Sequence, residues 1–165
     1  MVAKAKKDNK EIVIVCLKSG LKDDVKALAE KHEAHYLVEK LPGGFLTNFE
    51  TLFKTIRTMN EQKQFMESES FTKLTKKEQT MNKRHLAKVE KIYGGVKNLK
   101  KKPDMVIVVD GMMLSGLINE IAITETDSIV LNSTDFSQYR QGNNMAIVNL
   151  HNQNSPRYIL ETLFA

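Results

Sequence analysis

Residues 11–30 read Glu11-Ile-Val-Ile-Val-Cys-Leu-Lys-Ser-Gly-Leu-Lys-Asp-Asp-Val-Lys-Ala-Leu-Ala-Glu30. Residues 12–17 are apolar and largely β-branched, lack polar alternation and are too few for a helix, which is the pattern of a strand covered on both faces. Ser19-Gly20 turns the chain. Leu21, Val25, Leu28 and Ala29 then share one helical stripe, while Lys22, Asp23, Lys26 and Glu30 occupy the opposite face. A buried strand leading into an amphipathic helix is the building unit of a parallel α/β sheet. Strand character returns at Met105-Val-Ile-Val-Val109 and Ile129-Val-Leu131, and more weakly at His35-Tyr-Leu-Val38 and Ala146-Ile-Val-Asn-Leu150, with helical patterns between several of these runs.

The alternation breaks between Tyr36 and Met105, a gap too long for one crossover helix. Two helix starts lie inside it. Thr47-Asn-Phe-Glu50 and Thr75-Lys-Lys-Glu78 each fit the capping box, in which a Thr hydroxyl and a Glu carboxylate satisfy free backbone N–H groups. Phe49, Leu52, Phe53, Ile56 and Met59 form one helical stripe, and Met81, His85, Leu86, Val89 and Ile92 form another. The polar stretch from Glu67 to Lys73 joins them and Gly94-Gly95 stops the second. These features predict an inserted antiparallel helical hairpin at about 47–93 within one α/β domain spanning 11–165. Residues 1–10 read as a flexible basic tail. Ser155-Pro156 predicts an N-cap with Pro in the first turn of a terminal helix through Ile159, Leu160 and Leu163.

Charge is divided unevenly along the chain, whose net value is +5. Residues 1–72 hold 12 basic and 11 acidic side chains, residues 73–102 hold 11 and 2, and residues 103–165 hold 2 and 7. The positive field therefore belongs to the second hairpin helix and the loop after it. Lys77, Thr80, Arg84, Lys88 and Lys91 step by three or four residues along one stripe about 21 Å long. Lys76 and Lys83 adjoin that stripe, and Lys97, Lys100, Lys101 and Lys102 extend the patch beyond the Gly-Gly stop. A helix whose charges only solvate it usually interleaves Glu with Lys at i,i+4; here only Glu78 and Glu90 oppose the lysines. A cationic ridge of this length suits a nucleic-acid backbone, where bound phosphates release condensed counterions. An anionic membrane surface is the rival partner, but the apolar side of the helix is needed by its neighbour.

Other chemistries lack their residues. His32, His35, His85 and His151 are scattered and the single Cys16 lies within the first strand, so neither zinc spacing nor a disulfide framework exists. No glycine-rich dinucleotide fingerprint, P-loop or nucleophile elbow is present. No apolar run approaches the roughly 20 residues of a bilayer-spanning helix, and no secretory h-region follows the basic start. Neither a metal nor a cofactor is expected. Asp110, at the end of a strand, reads as a turn cap. The alternative is a small-ligand-binding or phosphoacceptor domain using strand ends near Ser19, Gly20 and Asp110.

Four segments, in order, carry a family resemblance: Gly43-Gly-Phe-Leu-Thr-Asn48, Leu74-Thr-Lys-Lys-Glu78, Leu86 to Gly95, and Lys102-Pro-Asp-Met-Val-Ile-Val-Val-Asp110. Together they resemble the S-two family of small-subunit ribosomal proteins, with a fainter match at Gly142-Asn-Asn-Met-Ala-Ile147. The resemblance implies a flavodoxin-like parallel sheet with helices on both faces and an inserted antiparallel hairpin arm. It implies a structural constituent of the small ribosomal subunit with no catalysis, bound to small-subunit rRNA and neighbouring ribosomal proteins, neither membrane-bound nor a free homo-oligomer. Gly43, Gly44, Thr47 and Asn48 would form a turn whose N–H groups meet phosphate. With Lys54 and Arg57 of the first hairpin helix and the ridge and loop lysines, they make up the expected RNA contacts.

Against the family pattern, the chain begins near the first sheet strand without the preceding His-x-Gly-His helix, and little follows the last helix. Glu39-Lys-Leu-Pro42 and Asn132-Ser-Thr-Asp135 replace an aromatic-basic stretch and an Asp-Thr-Asn-Ser turn. The shortening, with 21 Lys against 4 Arg, leads to the expectation of a mitochondrial or other organellar ribosome over a bacterial one.

Overall fold

The computed structural model describes residues 2–134 and 144–164. In chain order it contains α1 (Val2–Lys7), β1 (Ile12–Cys16), α2 (Lys22–Lys31), β2 (His35–Leu37), α3 (Phe49–Met66), the single turn α4 (Glu69–Thr72), α5 (Lys76–Tyr93), β3 (Met105–Val109), α6 (Ser115–Thr124), β4 (Asp127–Asn132), β5 (Asn144–Ile147) and α7 (Asn154–Phe164). Among the described residues the strands form one parallel sheet in the order β2-β1-β3-β4-β5, the flavodoxin-like arrangement. Ile14 is aligned with Tyr36 on one side and Ile107 on the other, and Ile107 in turn with Ile129.

Both faces of the sheet are covered, which explains why β1 and β3 have no polar positions. Ile12, Ile14, Cys16, Met105, Ile107 and Val109 pack with α1, α2 and α7 through Val2, Val25, Leu160 and Phe164. Val13, Val15, Val106, Val108 and Val130 point the other way, onto Leu117, Ile118 and Ile121 of α6 and onto Leu52 and Ile56 at the root of α3. Each such side chain contributes roughly 1.5–3 kcal/mol by leaving water.

Four sequence expectations need correction. The first ten residues are not a free tail: Val2 and Ala5, three apart on α1, are 1% and 3% exposed and join the core beside α7. Their spacing puts both on one face, a signal masked by the surrounding lysines. Thr47 caps nothing; α3 starts after Asn48 without a side-chain cap. α7 starts at Asn154, before Ser155-Pro156, and the Asn154 N–H donates to the Asn152 side chain at 3.0 Å. The last strand is Asn144–Ile147 and not the run ending at Leu150, although Val148 and Leu150 are buried. Asp135, Gly142 and Asn143, which belong to the family motifs, lie outside the described residues.

α5 ends at Tyr93 and Gly94–Val96 makes a 3-10 turn. Gly95 lies against the backbone carbonyl and ring of Tyr36, so close that a Cβ would collide with the carbonyl oxygen. The glycine thus lets the returning arm meet β2. Gly95→Ala is expected to lower stability by about 1–3 kcal/mol through overpacking, measured by chemical denaturation, whereas Gly43→Ala, which has open space around it, should have a much smaller effect.

Candidate nucleic-acid interface

α3 and α5 run antiparallel: the Asn60 amide donates to the Lys97 carbonyl at 3.0 Å and Lys63 pairs with Glu90 at 2.9 Å. Leu52, Ile56 and Met59 of α3, Leu86 of α5 and Phe71 of α4 are buried. Val89 and Ile92 are half-buried. Met81 and His85, which the helical spacing placed in the seam, are instead exposed, Met81 to 62%. α5 is therefore held along its root half and stands out toward its start. There the capping box at Thr75 is complete: the hydroxyl accepts from the Glu78 N–H and the Glu78 carboxylate accepts from the Thr75 N–H at 2.9 Å. The Thr75 hydroxyl also donates to this carboxylate at 2.8 Å; that bond, then the one from the Thr75 N–H, holds Glu78 below the usual carboxylate range and ties up one of the two acidic groups on α5. Glu90, the other, is engaged by Lys63, whose affinity for its proton rises accordingly.

With both carboxylates occupied, most of the cations of α5 face water uncompensated. Lys76, Lys77, Lys83, Arg84, Lys88 and Lys91 are all exposed. Among the described residues the first five make no ion pair; Lys91 approaches Glu39 at 3.6 Å, which Lys22 also holds at 3.3 Å. On α3, Arg57 pairs with Glu61 at 3.0 Å while Lys54 is exposed. In the loop after the arm, Lys101 is bound to Asp104 at 2.7 Å and Lys97, Lys100 and Lys102 are without ion partners among the described residues. Arg57, Lys97 and Lys100 line one groove at the root of the arm.

The glycine turn is arranged differently from the sequence expectation. The N–H groups of Gly44, Leu46 and Thr47 donate to the Glu120 carboxylate at 2.9, 2.8 and 3.3 Å, and the Thr47 hydroxyl reaches it at 3.4 Å. Gly44 has φ +76°, which favours glycine, and Asn48 accepts from the Thr51 hydroxyl at 2.8 Å. An acidic side chain from α6 thus fills the anion position at this turn. Gly44, Thr47 and Asn48 serve to anchor α3, and their N–H groups, expected to meet phosphate, are already satisfied, that of Asn48 by the Gly44 carbonyl at 2.8 Å.

Among the described residues, the two candidates at the strand ends, Asp110 and Cys16, have structural roles. Asp110, at φ +71°, accepts from the Met113 N–H at 3.2 Å and caps the turn before α6. Cys16 is fully buried, and burial pushes its thiol up to about 11. Among the described residues no group of three or more His, Cys, Asp or Glu side chains is placed to hold a metal, and no helix is long and apolar enough to cross a membrane.

The family described as Ribosomal protein S2 matches residues 1–160. The chain belongs to this family. Similar proteins include the small ribosomal subunit protein uS2 of Ureaplasma parvum serovar 3, 36% identical over 115 residues, which are 70% of this chain and 33% of that protein. The corresponding protein of Helicobacter hepaticus is 36% identical over 110 residues, 67% of this chain and 42% of its own length. That of Pseudoalteromonas atlantica is 35% identical over 119 residues, 72% and 47%. The match thus spans a third to a half of the length of these curated S2 relatives, all of them bacterial.

The residue that sequence reading missed in this S2 chain is Glu120. It is 73–76 positions from its partners, so no local pattern joins them. Its position beside a backbone turn rich in free N–H groups becomes visible only after the sheet brings α6 against the arm root. Glu120→Ala is expected to cost about 2 kcal/mol by leaving these donors unsatisfied, read as a lower denaturation midpoint. Glu120→Gln, which keeps an acceptor oxygen, should lose less.

Proposed function

We propose that this chain is a non-catalytic structural constituent of the small ribosomal subunit. In this reading the exposed face of α5 formed by Lys77, Arg84 and Lys88, with Lys83 adjoining it, lies along rRNA phosphates, and the sheet carries that face and docks neighbouring ribosomal proteins. The single observation that carries it is a cationic helix face with no carboxylate partner among the described residues, on a chain of the ribosomal protein S2 family. An ordinary solvated helix gains a few tenths of a kcal/mol from each i,i+4 ion pair; α5 forgoes that gain, as a surface built for an external polyanion does. Residues 103–165, with 2 basic and 7 acidic side chains, offer the complementary charge for basic protein neighbours. The bacterial relatives lend no support to the organellar expectation.

The test has two parts. The untagged chain should sediment with small subunits, and replacing Lys77, Lys83, Arg84 and Lys88 with Gln should weaken rRNA binding. It should also lower the slope of log K against log salt by about 3 in magnitude, near 0.7 per phosphate neutralised. Denaturation midpoints should hardly change, since none of the four side chains is buried. Unaltered affinity and slope would remove the α5 face from the account.

A further inference from the structure

The arm and the strand ends do not exhaust the chain's charged surface. At the N-terminal edge of the sheet, opposite the edge where parallel α/β sheets usually bind small ligands, lies a groove of about 800 Å³ between α1, the end of α2 and the loop before β3. Lys6, Lys10, Lys31 and Lys100 line it, with Glu11 and Glu33. Glu11 is engaged by His35 at 2.7 Å, and Lys10 by Asp127 at 3.2 Å. Among the described residues Lys6, Lys31 and Lys100 have no carboxylate partner, so three ammonium groups outnumber the carboxylates of Glu11 and Glu33 in the lining.

Two details show how strongly cations are gathered here. Lys6 donates to His32 Nδ1 at 2.8 Å, and its ammonium lies 5.0 Å from the Phe164 ring centre, so it is positioned by a neutral imidazole and a π face. Burial, then Lys6 and Lys31, holds His32 below its ordinary value and keeps that imidazole uncharged. The carbonyls of Leu28, Ala29 and Glu30 near the end of α2 are closed by the N–H groups of His32, Glu33 and Ala34, so they offer the lysines little in place of an anion. Lys100 also lines the groove at the arm root with Arg57 and Lys97, which makes one basic path from the arm to this edge of the sheet.

We infer that this groove is a second phosphodiester-binding surface, and that Lys6, Lys31 and Lys100 hold a segment of RNA backbone distinct from the one along α5. The inference rests on the RNA-binding reading of the arm and extends it to the body of the protein. Spacing favours RNA over a single small anion, because the cations come from three separate elements around an open concavity.

The test compares two full-length variants for binding to protein-free small-subunit rRNA over a range of salt. One has Lys31 and Lys100 replaced by Gln, the other the four α5 cations. The groove variant should lower the slope magnitude by about 1.4, near 0.7 for each phosphate no longer neutralised. It should also remove a stretch of hydroxyl-radical protection on the RNA that the α5 variant retains. Neither Lys31 nor Lys100 makes an ion pair among the described residues, so stability should be unaffected; adding Lys6→Gln should deepen the effect. If the groove variant keeps the parent slope and footprint while the α5 variant loses both, this inference fails and the arm reading stands. If the groove variant is altered only in binding to anionic lipid vesicles, the surface is not an RNA site. If neither variant changes rRNA binding, both readings fail.

Discussion

The carboxylate of Glu120, shared by three backbone N–H groups of the Gly44–Thr47 turn, fastens the helical arm to the sheet. α6 supplies the carboxylate, and α6 is itself fixed by Leu117, Ile118 and Ile121 packed on the valines of β1, β3 and β4. A second attachment lies where the arm returns, at the contact of Gly95 with Tyr36 of β2. Between these two roots the hairpin has a thin apolar seam, with Leu86 the buried residue of α5. Its orientation is therefore set at its base. Such a mounting suits a helix whose own surface offers nothing to fold against.

Charge follows the same division of labour. Like charges on one helix face repel, and the repulsion is tolerated here because α5 also has a complete capping box and a hydrophobic root. The two carboxylates that would soften the field are both committed, Glu78 to the cap and Glu90 to Lys63. The body shows the opposite habit on its far side, where Arg157 meets Asp24 at 3.5 Å and Glu161 at 3.2 Å. Among the described residues, cations without carboxylate partners are thus concentrated on α5, in the loop after it and along the N-terminal edge of the sheet. That is the distribution expected of a protein whose counter-charge is supplied by another molecule.

The parallel sheet was legible because a strand covered on both faces has no polar positions, and Ile12–Cys16 and Met105–Val109 show this plainly. The last strand was less so, since Asn144–Ile147 is an edge with half-exposed residues and the buried Val148 and Leu150 lie beyond it. The two Thr-x-x-Glu patterns look alike in sequence; Thr75 caps and Thr47 does not, because Thr47 faces a carboxylate contributed by a distant helix. The cationic stripe of α5 could be read from its helical period alone. The role of the glycine turn could not, because which anion it binds depends on tertiary packing. The first residues misled because lysines signal solvent while Val2 and Ala5, three positions apart, reach the core.

The most direct measurement is a structure of the native small subunit that contains this chain. The account predicts phosphate oxygens of rRNA within about 4 Å of the Arg84 guanidinium and the Lys88 ammonium, the range of a direct ion pair. A particle in which that face of α5 looks into open solvent, or rests on protein with no polynucleotide beside it, would contradict it.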